Sequence, residues 1–123
     1  MKILHFEYSD FFRRVVHDMV SRLGHEYIGT SSGDDLFKIL AKQDVEVIFT
    51  GMELNDMSAE KLISSIKDSK YNFLPVVILT SSEIADIHRR LRGIEFSDFI
   101  VKENLTVQSL KKCILRFEKD QHA

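Results

Sequence analysis

Val45-Glu46-Val47-Ile48-Phe49-Thr50 is a β-branched and aromatic run, of the kind that forms a central strand buried on both faces of a parallel sheet. Pro75 marks the entry to a second apolar run, Val76–Thr80. Between the two runs, Ser58 is the expected N-cap of a helix with one apolar side, formed by Leu62, Ile63 and Ile66. The centre of the chain therefore predicts two parallel strands joined by a crossover helix.

The same strand-then-helix unit recurs on both sides of this centre. Apolar side chains between Phe12 and Leu23 recur at spacings of three and four residues, which indicates a helix capped by Ser9 or Asp10. Short runs predict strands at residues 2–6, 27–30 and 99–101, and further helices are expected near Asp34, at Ser81 or Ser82 carrying Ile84, Ile87 and Leu91, and at Thr106. Five such units predict a doubly wound α/β domain, with a five-stranded parallel sheet flanked by helices.

Length and composition restrict the class of protein. The chain has 123 residues, 17 Lys and Arg against 19 Asp and Glu, a net charge of −2 and one cysteine. We expect a single domain over residues 1–123, with 118–123 as a frayed tail or the start of a linker. The lone Cys113 excludes an intramolecular disulfide and favours a reducing, cytoplasmic location. The apolar runs are far shorter than the ~20 residues that span a bilayer, and the balanced charge argues against nucleic acid as a partner of this domain.

The ends of the predicted strands carry the candidate functional residues. In a doubly wound sheet, ligands bind beyond the carboxyl ends of the strands, where Glu7, Thr80 and Lys102 follow the first, fourth and fifth strands. These groups are expected to meet, either as a chemical site or as a buried ion pair beside a helix-capping threonine. The first loop has no glycine to cradle a phosphate, and the histidines are too scattered for a metal site. We therefore expect no nucleotide, flavin, other cofactor or metal ion.

Three segments resemble the receiver domain of two-component response regulators, similar to the chemotaxis response regulator, in both order and spacing. They are Lys2–Ser9 followed by Phe12-Arg13-Arg14, Leu74–Ser81, and Asp98–Lys102. The resemblance covers nearly the whole chain and implies a flavodoxin-like receiver fold with strand order 2-1-3-4-5. It also implies a role in phosphorelay signal transduction, with Thr80 as the signalling hydroxyl and Lys102 as the lysine that contacts the phosphoryl group.

Two departures from the family pattern affect the implied chemistry. In receivers, an aspartate at the end of the third strand accepts the phosphoryl group, and an acidic pair in the first loop helps to hold Mg²⁺. The resemblance places Gly51 on the acceptor position and Glu7-Tyr8 on the acidic pair, so that the nucleophile is missing and a neutral phenol replaces a metal ligand. We therefore predict an atypical receiver, not an enzyme, that acts by phosphorylation-independent protein–protein interaction.

The alternative is a working phosphorelay receiver, which would use Thr50, Glu53 or Asp56 as a non-standard acceptor or bind phosphoryl groups with Mg²⁺. We further expect Glu7 or Glu53 to pair with Lys102 in place of phosphate. For Glu53, the competing interpretation is a solvent-exposed loop side chain that contributes little to stability.

The resemblance also implies a switch and interaction face, formed by the fourth helix, fifth strand and fifth helix. Ile87, Arg90, Phe99 and Lys111 lie in these elements. The expected partners are other proteins, another domain of a larger signalling protein, or a second copy of the chain in a homodimer. The alternative is an ordinary solvated helix face.

Overall fold

The computed structural model describes residues 1–81 and 83–122, with side chains through Glu118. The strands are β1 (Lys2–Phe6), β2 (Glu26–Thr30), β3 (Val47–Thr50), β4 (Val76–Thr80) and β5 (Asp98–Val101). The helices are α1 (Asp10–Arg22), α2 (Leu36–Lys42), α3 (Ala59–Lys67), α4 (Ile84–Arg90) and α5 (Val107–His122), with 3₁₀ turns at Gly33–Asp35 and Lys102–Asn104. The strands pair in parallel in the order β2-β1-β3-β4-β5, which confirms the predicted fold and strand order.

Two apolar layers, one on each face of the sheet, hold the domain together. Every residue of β3 and β4 is buried, because helices cover both sides of these central strands. Phe6, Ile48 and Ile78 pack in the layer beneath α2, α3 and α4. Ile3, Phe49 and Leu79 pack in the layer beneath α1 and α5. The strand ends that carry the candidate site therefore project from a rigid centre.

Hydroxyl side chains begin three of the helices at the predicted residues. Ser9 Oγ accepts a hydrogen bond from the Phe12 N–H at 3.1 Å, and Ser58 Oγ accepts one from the Lys61 N–H at 3.3 Å. Thr106 and Ser109 cap α5 reciprocally, since each side-chain oxygen accepts the other residue's backbone N–H at 3.0 Å and 2.8 Å. These bonds satisfy donors that the first turn of a helix leaves unpaired.

The structure differs from the sequence prediction at several element ends. β3 begins at Val47 rather than Val45, because the Val45 N–H donates to the Gln43 carbonyl in the preceding turn. The N-cap of α4 is Glu83 and not Ser81, and Ser82 lies outside the described residues. Ile84, the first residue of α4, is half exposed.

The predicted frayed segment 118–123 is helical through His122, and Ala123 lies outside the described residues. None of the helices within the described ranges is long and apolar enough to cross a bilayer.

Candidate functional site

The carboxyl edge of the sheet holds a cavity of about 180 Å³. Four of the residues that line it stand at strand ends: Glu7 follows β1, Gly51 follows β3, Thr80 ends β4 and Lys102 follows β5. The remaining lining residues are Met52, Glu53, Leu79, Ser81 and Arg90. The structure thus brings together the group that the strand ends predicted, and it adds Arg90.

Glu7 is the ion-pair partner of Lys102 within this cavity. Lys102 Nζ lies 2.9 Å from Glu7 Oε1, and the Glu7 side chain is only 5% exposed. The Ser9 N–H donates to Glu7 Oε2 at 3.0 Å, so both carboxylate oxygens have a positive or donor neighbour. Of the two carboxylates expected to pair with Lys102, the structure has Glu7 in this position.

The Lys102 ammonium group also lies over an aromatic ring. Its Nζ is 4.0 Å from the centroid of the Phe12 ring, a distance at which the ring's negative face attracts a cation. Phe12 belongs to α1, so the lysine is held between the first helix and the carboxylate after β1. The sequence did not indicate this contact, because the two residues are ninety positions apart.

Gly51 provides the space that the Glu7 carboxylate occupies. A Cβ atom placed on Gly51 would lie 3.1 Å from Glu7 Oε1 and 3.6 Å from the carboxyl carbon. The Gly51 backbone is fixed, since its N–H donates to the Phe6 carbonyl at 2.8 Å. Any larger side chain at position 51 would therefore meet the carboxylate that pairs with Lys102.

Glu53 contacts Arg90 rather than Lys102. Arg90 Nη2 lies 2.5 Å from Glu53 Oε1 and 2.9 Å from Glu60 Oε1, and Arg90 Nε donates to Glu60 Oε2 at 3.3 Å. Burial of the guanidinium by itself would lower the pKa of Arg90, but the hydrogen bonds that it donates to the two carboxylates raise this pKa overall. The residue predicted for the interaction face therefore lies at the rim of the cavity.

Arg13 fixes the loop that carries Glu7 and Tyr8. Its Nη1 donates to the backbone carbonyls of Glu7 at 2.5 Å and Tyr8 at 3.2 Å, and its Nη2 forms an ion pair with Asp10. The Tyr8 side chain is 65% exposed and does not line the cavity. Arg13 was missed as a functional residue because its partners are backbone atoms, which leave no side-chain pattern in the sequence.

The other residues considered as acceptors do not line the cavity. The Thr50 hydroxyl is buried and donates to the Gly51 carbonyl at 2.8 Å. Asp56 accepts hydrogen bonds from the Gly33 and Asp34 N–H groups and the Ser32 hydroxyl at 2.8 to 2.9 Å. These bonds, led by that from Gly33, lower the pKa of Asp56 to about 2, and they commit the carboxylate to the loop before α2.

Comparison with known proteins identifies the family. Residues 3–114 match the response regulator receiver domain. The chain belongs to this family. The receiver is a module of two-component signalling.

The receiver has CheY-like relatives. The chemotaxis protein CheY homolog of Campylobacter jejuni is 27% identical over 84 residues, which are 66% of this chain and 65% of that protein, just under two thirds of its length. The structure is also similar to chemotaxis response regulator CheY4 of Vibrio cholerae, with a TM-score of 0.81 and 20% identity over 94% of this chain and 97% of that one.

A receiver domain of a sensor histidine kinase from Pseudomonas aeruginosa, which holds a coordinated magnesium ion in its active-site cleft, gives a TM-score of 0.85 at 16% identity over 94% of this chain and 95% of that one. At these identities the solved structures establish the fold alone.

Two of the four residues predicted for the receiver's α4–β5–α5 face, Ile87 and Arg90, are placed differently in the structure. The Ile87 side chain is fully buried in the apolar layer between the sheet and the helices. It therefore lies beneath the face and cannot contact a partner there. Arg90 is turned toward Glu53 and Glu60. Phe99 is partly buried beside His88 and Phe96, with ring centroids at 6.0 and 6.4 Å, and Lys111 is exposed.

His5 is a buried titratable residue close to the receiver's cavity. Its Nδ1 is 2.7 Å from the Tyr27 hydroxyl, and its Nε2 has no hydrogen-bond partner among the described residues. Burial, assisted by the positive charges of Lys102 and Arg13, lowers the pKa of His5 from 6.5 to about 3. With a pKa this low, the imidazole of His5 is neutral within the apolar layer.

Proposed function

We propose that this receiver acts through contacts with protein partners without phosphorylation at the usual acceptor position. The observation that carries the proposal is the Glu7–Lys102 ion pair beside Gly51. Gly51 offers no nucleophile, and the carboxylate of Glu7 stands against the space where a side chain at that position would begin. Lys102 already has an anionic partner, so its positive charge is balanced without a phosphoryl group.

The residues at this edge do not fit a magnesium site. Mg²⁺ requires near-octahedral oxygen ligands and is held in proteins through carboxylates. Here Glu7 is paired with Lys102, the Tyr8 phenol is turned to solvent, and position 51 has no side chain. Within the described residues, no group of three or more His, Cys, Asp or Glu side chains is arranged to hold a metal ion. The proposed function therefore does not depend on a bound metal ion.

The proposed partners are other signalling proteins, a further domain of a longer signalling protein, or a second copy of the chain. The α4–β5–α5 face is the proposed surface, with Phe99 and Lys111 as its contributing side chains. We propose a cytoplasmic location and no enzymatic activity of the domain itself.

Amide NMR tests the absence of phosphorylation directly. The wild-type domain is titrated with Mg²⁺ and beryllofluoride, which mimics a phosphoryl group, and separately with a small phosphodonor. We expect no shifts localised around Thr80 and Lys102. Such shifts in the wild-type protein would refute the proposal and favour a receiver with a non-standard acceptor.

The Tyr8→Asp/Gly51→Asp double variant provides the matched control. It restores an acceptor and a metal ligand on the same scaffold. Mg²⁺ held by the two added carboxylates would offset the charge of Glu7, so we expect the amides near Thr80 and Lys102 to respond to the same reagents. Mass spectrometry after incubation with the phosphodonor gives an independent readout, since covalent phosphorylation adds about 80 Da to the chain.

A further inference from the structure

Arg90 joins three parts of the structure at the last residue of α4. It contacts Glu53, which is two residues beyond Gly51 in the β3–α3 loop, and Glu60 in the first turn of α3. The guanidinium also lines the cavity that contains Lys102. A single side chain therefore connects the loop after the acceptor position to α4, one of the three elements of the α4–β5–α5 face.

The helix α4 has few other means of attachment. It has seven residues, no side-chain cap at its N-cap Glu83, and a half-exposed Ile84. Ile87 and, just past the helix, Leu91 are its buried apolar contacts. Short helices depend on tertiary contacts rather than on intrinsic helix stability, so the position of α4 is sensitive to the charges that hold it.

The geometry makes these ion pairs stronger than isolated surface pairs. The Arg90 side chain is 29% exposed and the Glu60 side chain 31%, so the contact is only partly hydrated. Arg90 uses Nε and Nη2 toward the two oxygens of Glu60, the two-point recognition for which a guanidinium is suited. Adding Glu53 to an arginine that is already ordered requires less further loss of side-chain freedom.

We propose that Arg90 is a positioning residue that couples the loop after Gly51 to α4, by bridging Glu53 and Glu60. This inference rests on the proposed function. In a receiver without phosphorylation, the fixed charges of Arg90, Glu53 and Glu60 determine the position of a face that phosphorylation would otherwise control. Arg90 is thus removed from the set of partner-contacting residues and given a role within the domain.

Hydrogen exchange measured by NMR tests the attachment of α4. The Ile87 and Leu91 N–H groups donate to the Glu83 and Ile87 carbonyls, and their exchange reports opening of this helix. Arg90→Gln should accelerate their exchange about tenfold, since local opening free energies govern such rates. The β1 amides of Ile3 and Leu4 should be unaffected.

Arg89→Gln is the matched control. Arg89 lies on the same helix, is 72% exposed, and pairs only within the helix with Asp86 among the described contacts. We expect its exchange effect to be below about threefold, as for an ordinary exposed pair. Equal effects of the two glutamine variants on α4 would overturn the proposal.

A double-mutant cycle with Glu53→Gln tests the coupling itself, which a merely structural arginine would not show. Glu53 is 66% exposed, so its replacement should not impair folding. In the wild-type background, we expect Glu53→Gln to shift the amide resonances of His88 and Leu91, and in the Arg90→Gln background the shifts should vanish. Shifts of the same size in both backgrounds would overturn the proposal.

The beryllofluoride titration is repeated on the same samples. A wild-type response would refute the proposed function, whereas the exchange and coupling results decide the role of Arg90 independently.

Discussion

Lowering the pH from 8 to 5 should destabilise this receiver through His5, whose burial keeps the imidazole neutral. In the unfolded chain His5 has its ordinary pKa of 6.5, whereas in the folded chain the pKa is about 3. Between these values the unfolded state binds more protons, so stability is full above pH 6.5 and is lost as the pH falls toward 3. This direction is opposite to that of a histidine stabilised by an acidic partner.

The size of the effect follows from the same two pKa values. Each pKa unit corresponds to about 1.4 kcal/mol, so protonation of the unfolded chain at pH 5 should lower the free energy of unfolding by about 2 kcal/mol relative to pH 8. Below pH 3 the loss approaches about 5 kcal/mol.

Urea unfolding followed by circular dichroism at pH 8, 7, 6 and 5, at constant ionic strength, measures this loss. The control is His5→Asn, whose side-chain amide can form a hydrogen bond with the Tyr27 hydroxyl but does not titrate. Burial, together with the positive chain terminus, also lowers the pKa of His25, so the quantity to compare is the difference between wild type and variant. If both proteins lost the same free energy between pH 8 and pH 5, the argument about His5 would be refuted.

Three further predictions concern stability and use the same urea assay. Lys102→Met should cost about 2 kcal/mol because it leaves the Glu7 carboxylate buried without its cation, and Glu7→Gln should recover part of that loss; an unchanged midpoint would contradict the importance of the pair. Gly51→Asp should cost about 2 kcal/mol, since its Cβ would lie 3.1 Å from Glu7 Oε1 and its charge repels that carboxylate, and the cost should shrink in the Glu7→Gln background. Gly33→Ala should cost about 1 to 2 kcal/mol because its Cβ would lie 2.4 Å from Met57 Sδ, and Met57→Ala should relieve the clash; equal costs in both backgrounds would show that the clash is not the cause.

The spacing of apolar residues and the ends of the apolar runs predicted much of this structure, because these patterns depend only on residues that are close together in the sequence. The runs that became β3 and β4 are buried along their whole length, and parallel strands necessarily bring Glu7, Thr80 and Lys102 to one edge. The choice between Glu7 and Glu53 as the partner of Lys102 depended on distances between loops, which no local pattern contains. The spacing of Ile84, Ile87 and Leu91 indicated a helix, but not which of the three would be buried: α4 begins at Ile84, and its buried contacts begin only at Ile87.

The charges around the cavity explain why restoring phosphate chemistry would require more than one substitution. Lys102 is paired with Glu7, and Arg90 is paired with Glu53 and Glu60, so three carboxylates already surround two cations. An incoming phosphoryl group would have to displace Glu7 from Lys102, and the displaced carboxylate would remain close to the new anion in a poorly hydrated place, where like charges interact strongly. On the proposed function, Gly51 and the Glu7–Lys102 pair are therefore one coordinated change. Glycine at position 51 without the Glu7 contact would leave Lys102 without an anionic partner. An aspartate added at position 51 alone would meet the Glu7 carboxylate, which is already paired with Lys102.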